Sequence, residues 1–151
     1  MHEIGKVGLS DNMLLKHGNL DDQEFGQINQ HTIIGEKICQ PLRTLKPVLP
    51  IIRSHHERFN GSGYPDGLAG ENIPLIAQIV ALVDCYDAMS STRPYRQALE
   101  KEVVIEMLRE DTRKGWWETN MATTFLELIA SNSIEQLNLQ TEPSWLQANI
   151  P

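Results

Sequence analysis

Cysteine is almost missing from this sequence, at two residues in 151. Cys39 and Cys85 lie far apart and lack CxxC spacing, which excludes a disulfide scaffold and a thiolate zinc site; both read as buried, reduced thiols. Positive charge is scarce as well. Thirteen Lys and Arg against twenty Asp and Glu leave a formal net charge of -7. A non-specific nucleic-acid binder normally carries a basic face, so that class is excluded, and an anionic substrate would need metal ions or a few placed cations. No apolar run is long enough for a membrane span: the most apolar stretch, Ile73 to Val83, is broken by Gln78 and stops at Asp84. The N-terminus has no charged segment leading into an apolar one, so no secretory signal is expected and the cytoplasm is the expected compartment. Internal repeats, low-complexity blocks and persuasive strand patterns are absent too.

What is present is ordinary for one globular domain: 40% hydrophobic and 22% charged residues. We expect a domain over residues 1–132 and a tail over 133–151 that docks on it or forms a short helix. The periodicity is helical. Asp21 and Glu24 have capping-box spacing, and Phe25, Ile28, Ile33 and Ile34 continue a helical apolar pattern to about Cys39. Pro41 and Pro47 punctuate a turn before a helix carrying Ile51, Ile52, His55 and His56. Gly61, Gly63, Pro65, Gly67 and Gly70 make residues 60–70 a loop. Pro74 suits the first position of a helix from Leu75 to about Met89, with Asn72 as its cap, and Ser90 to Pro94 breaks the chain again. Two further helices are marked by Val103, Ile105, Met107 and Leu108, then by Phe125, Leu126, Leu128 and Ile129. The expected fold class is all-α, a helix bundle.

Chemistry is concentrated in the histidines and in one acid. His55 and His56 are adjacent, and on a helix their side chains would diverge by roughly 100°. Such a pair can straddle a site for two metals more easily than it can serve one; a surface or capping pair is the plain alternative. Asp84 interrupts the apolar run Ile76, Ile79, Val80, Ala81, Leu82, Val83, and an unpaired ionised carboxylate there would cost several kcal/mol. A metal or a buried partner would offset that cost; a structural salt bridge is the alternative. Asp87 lies one turn on, where a structural role and a substrate contact are both open. Imidazole and carboxylate ligands without thiolates suit iron, manganese or another first-row metal. A pair of such ions can clamp a phosphodiester and activate water near neutral pH.

Six ordered segments carry a resemblance: His2-Glu3-Ile4-Gly5-Lys6, His31-Thr32-Ile33-Ile34-Gly35, Ser54-His55-His56-Glu57-Arg58, Gly61-Ser62-Gly63-Tyr64-Pro65-Asp66-Gly67, Val83-Asp84-Cys85-Tyr86-Asp87-Ala88 and Arg93-Pro94-Tyr95-Arg96. Together they resemble the HD-GYP domain, a branch of the HD superfamily of metal-dependent phosphohydrolases, from the first residues to about Leu128. The resemblance implies an HD-superfamily helix bundle and hydrolysis of cyclic di-GMP to the linear dinucleotide or GMP. It implies His2, Glu3, His31, His55, His56 and Asp84 as ligands of two divalent ions, iron or manganese. Lys6 and Tyr64 become candidate catalytic residues. Lys6, Asp87, Arg93 and Arg96 become candidate substrate contacts, since a guanidinium grips phosphate bidentately and lysine supplies a point charge. For Arg96 a solvated surface charge stays open. The Gly63-Tyr64-Pro65 loop is where relatives are associated with diguanylate cyclase domains. His17 has no ligand counterpart and is expected in solvent.

Three departures stand out. Glu3 occupies the position of an aspartate, which moves the carboxylate by about a bond length and a half. Trp116-Trp117 replaces a His-Phe-Asp-Pro-like stretch, and packing in the core or tail is expected there. A preceding helix with further ligands is missing, so an apolar face is expected to lose cover and favour self-association. These departures leave two alternatives beside the cyclic di-GMP hydrolase: a degenerate regulatory module, and an HD-superfamily hydrolase acting on another phosphodiester.

Overall fold

The capping box expected at Asp21 forms in the computed structural model: Asp21 Oδ1 accepts from the Glu24 amide at 2.8 Å, and Glu24 Oε2 accepts from the Asp21 amide at 2.9 Å. The structure describes residues 1–14, 16, 18, 21–92 and 96–131. His17, Arg93 and the expected tail over 133–151 lie outside the described residues. The helices described are α1 (Asp11–Leu14), α2 (Asp22–Asn29), α3 (His31–Cys39), α4 (Leu49–Ser54), α5 (Leu75–Ser90), α6 (Lys101–Arg113) and α7 (Thr119–Ala130), with short 3-10 turns at Ile4–Gly8, Arg43–Val48 and Gly70–Asn72. Among the described residues the fold is all-α, with an isolated bridge between Asn60 and Ala69. No described helix is long and apolar enough to cross a membrane.

Besides α4, which ends at Ser54 before the His55 and His56 it was expected to carry, two helix boundaries differ from the sequence expectation. The pattern running from Asp21 to Cys39 is two helices, because the Gln30 amide bonds to the Gln27 and Ile28 carbonyls and tightens the end of α2. Asn72 does not cap α5. It belongs to the Gly70–Asn72 turn, while Pro74 is itself the N-cap, with ψ 129° and no side-chain cap bond.

The bundle has two working parts. One is the core, where Leu82 and Met89 of α5, Val104 and Leu108 of α6, Ala122 and Ile129 of α7 and the side chain of Trp117 pack together. The outer side of α5 leaves Leu75, Ile76, Ile79 and Val83 exposed. The other part is the N-terminal turn laid on α3, which in turn packs on α4. That contact is unusually close. A Cβ on Gly5 would sit 1.7 Å from the His31 carbonyl oxygen and 2.6 Å from the Gly35 amide nitrogen, so glycine is required for the backbones to meet. The approach sets His2 and Glu3 beside the first residue of α3.

Candidate metal centre

His31 opens α3 and His55 closes α4, and both are 1% exposed. His31 Nδ1 donates to the Ile28 carbonyl at 2.7 Å, and His55 Nδ1 donates to the Ile52 carbonyl at 3.0 Å. A carbonyl can only accept, so each ring carries its proton on Nδ1 and presents a lone pair at Nε2. The two Nε2 atoms face each other at 3.5 Å. Two bare acceptors at that distance repel; a shared cation removes the repulsion.

His56 joins them because α4 ends at Ser54. On a continuous helix the two histidines would diverge. Beyond the helix end the rings instead lie 4.1 Å apart, tilted at 43°, and His56 is also 5.1 Å from the His31 ring. Ligand atoms of Glu3, His31, His55 and His56 all fall within 4.8 Å of one another. The same holds for His2, Glu3 and Asp84. The six expected metal residues therefore form two sets that share Glu3.

The electrostatics favour a cation. Burial, reinforced by His2, pulls His55 down to about 4, and burial with His55 beside it pulls His56 down to about 3. Both rings are neutral at neutral pH, with nitrogen lone pairs that could coordinate a metal. Burial pushes Glu3 up, but the Lys6 hydrogen bond and charge outweigh it, and its carboxyl lies below the ordinary range. Glu3 Oε1 pairs with Lys6 Nζ at 2.8 Å, and Oε2 lies 3.4 Å from His31 Nε2, buried and without a hydrogen bond. An orphaned carboxylate oxygen facing two imidazole lone pairs fits a divalent metal. His2 Nε2 lies 3.4 Å from Asp84 Oδ1. The Asp84 side chain is 33% exposed, so the burial cost inferred for it from the apolar run is smaller than expected. The apolar neighbours Ile79 and Val83 turn outward with it.

Tyr64 stacks over His56, with centroids 4.7 Å apart at 27°, and meets Phe25 edge-on. Burial pushes its hydroxyl well above the ordinary value, so it is a neutral donor and no base. Asp87 and Arg96 are not brought to the cluster. Asp87 is exposed and accepts from Ser91 Oγ at 2.9 Å, and Arg96 donates to the Ala88 carbonyl near the end of α5. Two residues not singled out from the sequence complete the surroundings. Glu57, 2% exposed, accepts from the Asp66 amide at 2.8 Å and the Leu68 amide at 3.0 Å, holding the glycine-rich loop against the histidines. Arg58 lies with Cζ 3.2 Å above the Trp116 ring centre. Burial lowers its guanidinium, with Asp111 opposing. Trp117 enters the core as expected, whereas Trp116 is half-buried and lines a cleft of about 410 Å³ running from His55, His56 and Asp84 to Arg58.

This chain is similar to several known proteins. A response regulator of Xanthomonas campestris pv. campestris named as a cyclic di-GMP phosphodiesterase is 41% identical over 110 residues, covering 72% of this chain and 29% of that protein. A cyclic di-GMP phosphodiesterase of Thermotoga maritima is 47% identical over 100 residues, 64% of this chain and 27% of its own length. A 3'3'-cGAMP-specific phosphodiesterase of Vibrio cholerae is 35% identical over 111 residues, 74% of this chain and 24% of its own. The chain thus spans less than a third of the length of each. The family model for the HD domain matches residues 1–120, which include both ligand sets, the loop and Trp116, and the chain belongs to the HD domain family.

Proposed function

We propose that this chain is the catalytic part of a metal-dependent phosphodiesterase that hydrolyses cyclic di-GMP to the linear dinucleotide or GMP. The observation that carries the reading is the pair of opposed Nε2 lone pairs on His31 and His55, with the unpartnered Glu3 oxygen beside them. Similarity to proteins named for cyclic di-GMP hydrolysis supports the substrate. His31, His55, His56 and Glu3 would hold one divalent ion, and His2 and Asp84, with Glu3 shared, a second. Nitrogen and oxygen donors without thiolate favour iron or manganese. Such ions would supply Lewis-acid stabilisation of negative charge at phosphorus.

The chain's own residues do the rest. Backbone carbonyls of Ile28 and Ile52 fix the imidazole tautomers. Lys6 adds a cation next to Glu3, from which it can be drawn to a phosphate oxygen. Tyr64 walls the cluster and can donate its phenolic proton to an oxyanion. The free thiols of Cys39 and Cys85 support a cytoplasmic setting.

The test is elemental analysis of anaerobically purified protein, paired with a cyclic di-GMP assay in added manganese or iron. Bound metal with turnover is expected. Neither metal nor turnover would point to the regulatory module, and turnover in a folded His55→Ala variant would remove His55 as an essential ligand.

A further inference from the structure

The cleft extends beyond the two ligand sets to a wall that no metal uses. Arg58 stands there without a hydrogen-bond acceptor or ion-pair partner among the described residues, while the other half-buried guanidinium of this region, Arg53, is held by both Glu36 and Asp66. Its Cζ lies 3.2 Å over the Trp116 ring, so the indole covers one face of the group and the N–H edges of the fork are what it can offer to a ligand. Next to it is Trp117, only 7% exposed, whose Nε1–H has no partner. An indole N–H left unpaired at that depth is rare, and so is an unpaired guanidinium fixed over an aromatic ring.

Resting on the hydrolase reading, we propose that the Arg58–Trp116 end of the cleft is a nucleobase subsite that selects a 6-oxo purine. The guanine edge offers two acceptors, O6 and N7, at the spacing of a guanidinium fork; adenine replaces the first with an amino donor, which the fork cannot accept. A phosphate would be drawn to the opposite end, where the ligand sets and Lys6 lie. Trp116, Cys85 and Ala81 line the same cleft and add apolar surface to it. The cleft volume of about 410 Å³ falls within the range of small-ligand sites.

Two assays separate this proposal from the hydrolase reading. The first is calorimetric binding, in calcium, of cyclic di-GMP, its 7-deazaguanine analogue and cyclic di-AMP to the whole chain. The unmodified chain should bind cyclic di-GMP roughly ten-fold or more tightly than either of the others, and Arg58→Lys, which keeps the charge but not the fork, should erase that preference. Circular dichroism confirms that the variant is folded, and the analogue comparison needs no variant at all. The second assay is manganese-dependent hydrolysis, by the unmodified chain, of bis(p-nitrophenyl) phosphate, which has no base to select and so reports on the hydrolase reading alone. Hydrolysis without base preference overturns the subsite and leaves the hydrolase reading standing. Base preference without hydrolysis does the reverse. Equal binding of cyclic di-GMP and the 7-deaza analogue, or no binding of either, overturns the subsite outright.

Discussion

His31 and His55 meet nitrogen to nitrogen at 3.5 Å, each with its proton committed to a carbonyl on the opposite side of the ring. That arrangement is costly in the free protein and favourable once a cation lies between the rings, so binding should feed directly into stability. Manganese at a hundred-fold excess over its Kd should stabilise the fold by about 2.7 kcal/mol. The melting temperature of the stripped chain should rise accordingly, by roughly 5 to 10 °C for a chain of this size. His55→Ala should show no rise. A chain whose melting curve ignores manganese up to millimolar concentrations would contradict the centre as drawn.

The same imidazoles govern the response to acid. His55 sits at about 4 and His56 at about 3, both below the unfolded value of about 6.5. Between those limits the unfolded chain binds protons that the folded chain refuses, so stability is full above pH 6.5 and falls as pH drops toward 4. Each imidazole contributes a slope of up to about 1.4 kcal/mol per pH unit. Urea midpoints of the EDTA-treated chain between pH 7 and 5 measure this before carboxylates titrate. His56→Asn should remove about half of the slope; an unaltered slope would show that burial does not hold His56 neutral.

Glu3 is the departure from the aspartate expected at its position, yet it is the residue common to both ligand sets. Its longer side chain reaches Lys6 and the His31 nitrogen at once. Glu3→Asp shortens that reach by a methylene and should raise turnover per bound metal if the extra length misplaces the bridging oxygen. Glu3→Gln keeps the length and loses the charge, and should lower metal affinity ten-fold or more. Metal content and kcat measured on the same samples decide it, and unchanged or lower turnover in Glu3→Asp would show that glutamate is the fitted residue here.

Helix positions are largely readable in the sequence because apolar periodicity and caps act locally, as the Asp21–Glu24 box shows. The six metal candidates follow from the resemblance of ordered segments to a known family, and the fold brings them together. What the sequence hides is set by contacts between distant segments. Glu57 looks like a surface acid, since its two partners are backbone amides of Asp66 and Leu68, which carry no side-chain signature. Asp84 looks deeply buried because its neighbours are apolar, but α5 leaves that side open. The close approach of the His55 and His56 rings depends on where α4 stops, and a helix end is only weakly encoded without a glycine or cap residue.

Two glycine substitutions test whether the N-terminal turn is held in place by the close approach at Gly5. An added Cβ there meets the His31 carbonyl and the Gly35 amide, backbone atoms that cannot rotate away. Gly5→Ala should therefore push the Ile4–Gly8 turn off α3, carrying His2 and Glu3 out of both ligand sets. The α5, α6 and α7 core is built from other residues, so helical circular dichroism should persist while manganese affinity falls by at least ten-fold. Gly26 provides the contrast: it lies within α2, a Cβ added to it would meet nothing within 4 Å, and Gly26→Ala should stabilise the fold by up to about 1 kcal/mol with metal affinity unchanged. If Gly5→Ala kept full manganese affinity, His2 and Glu3 would not depend on this packing, and the centre would have to assemble from α3, α4 and α5 alone.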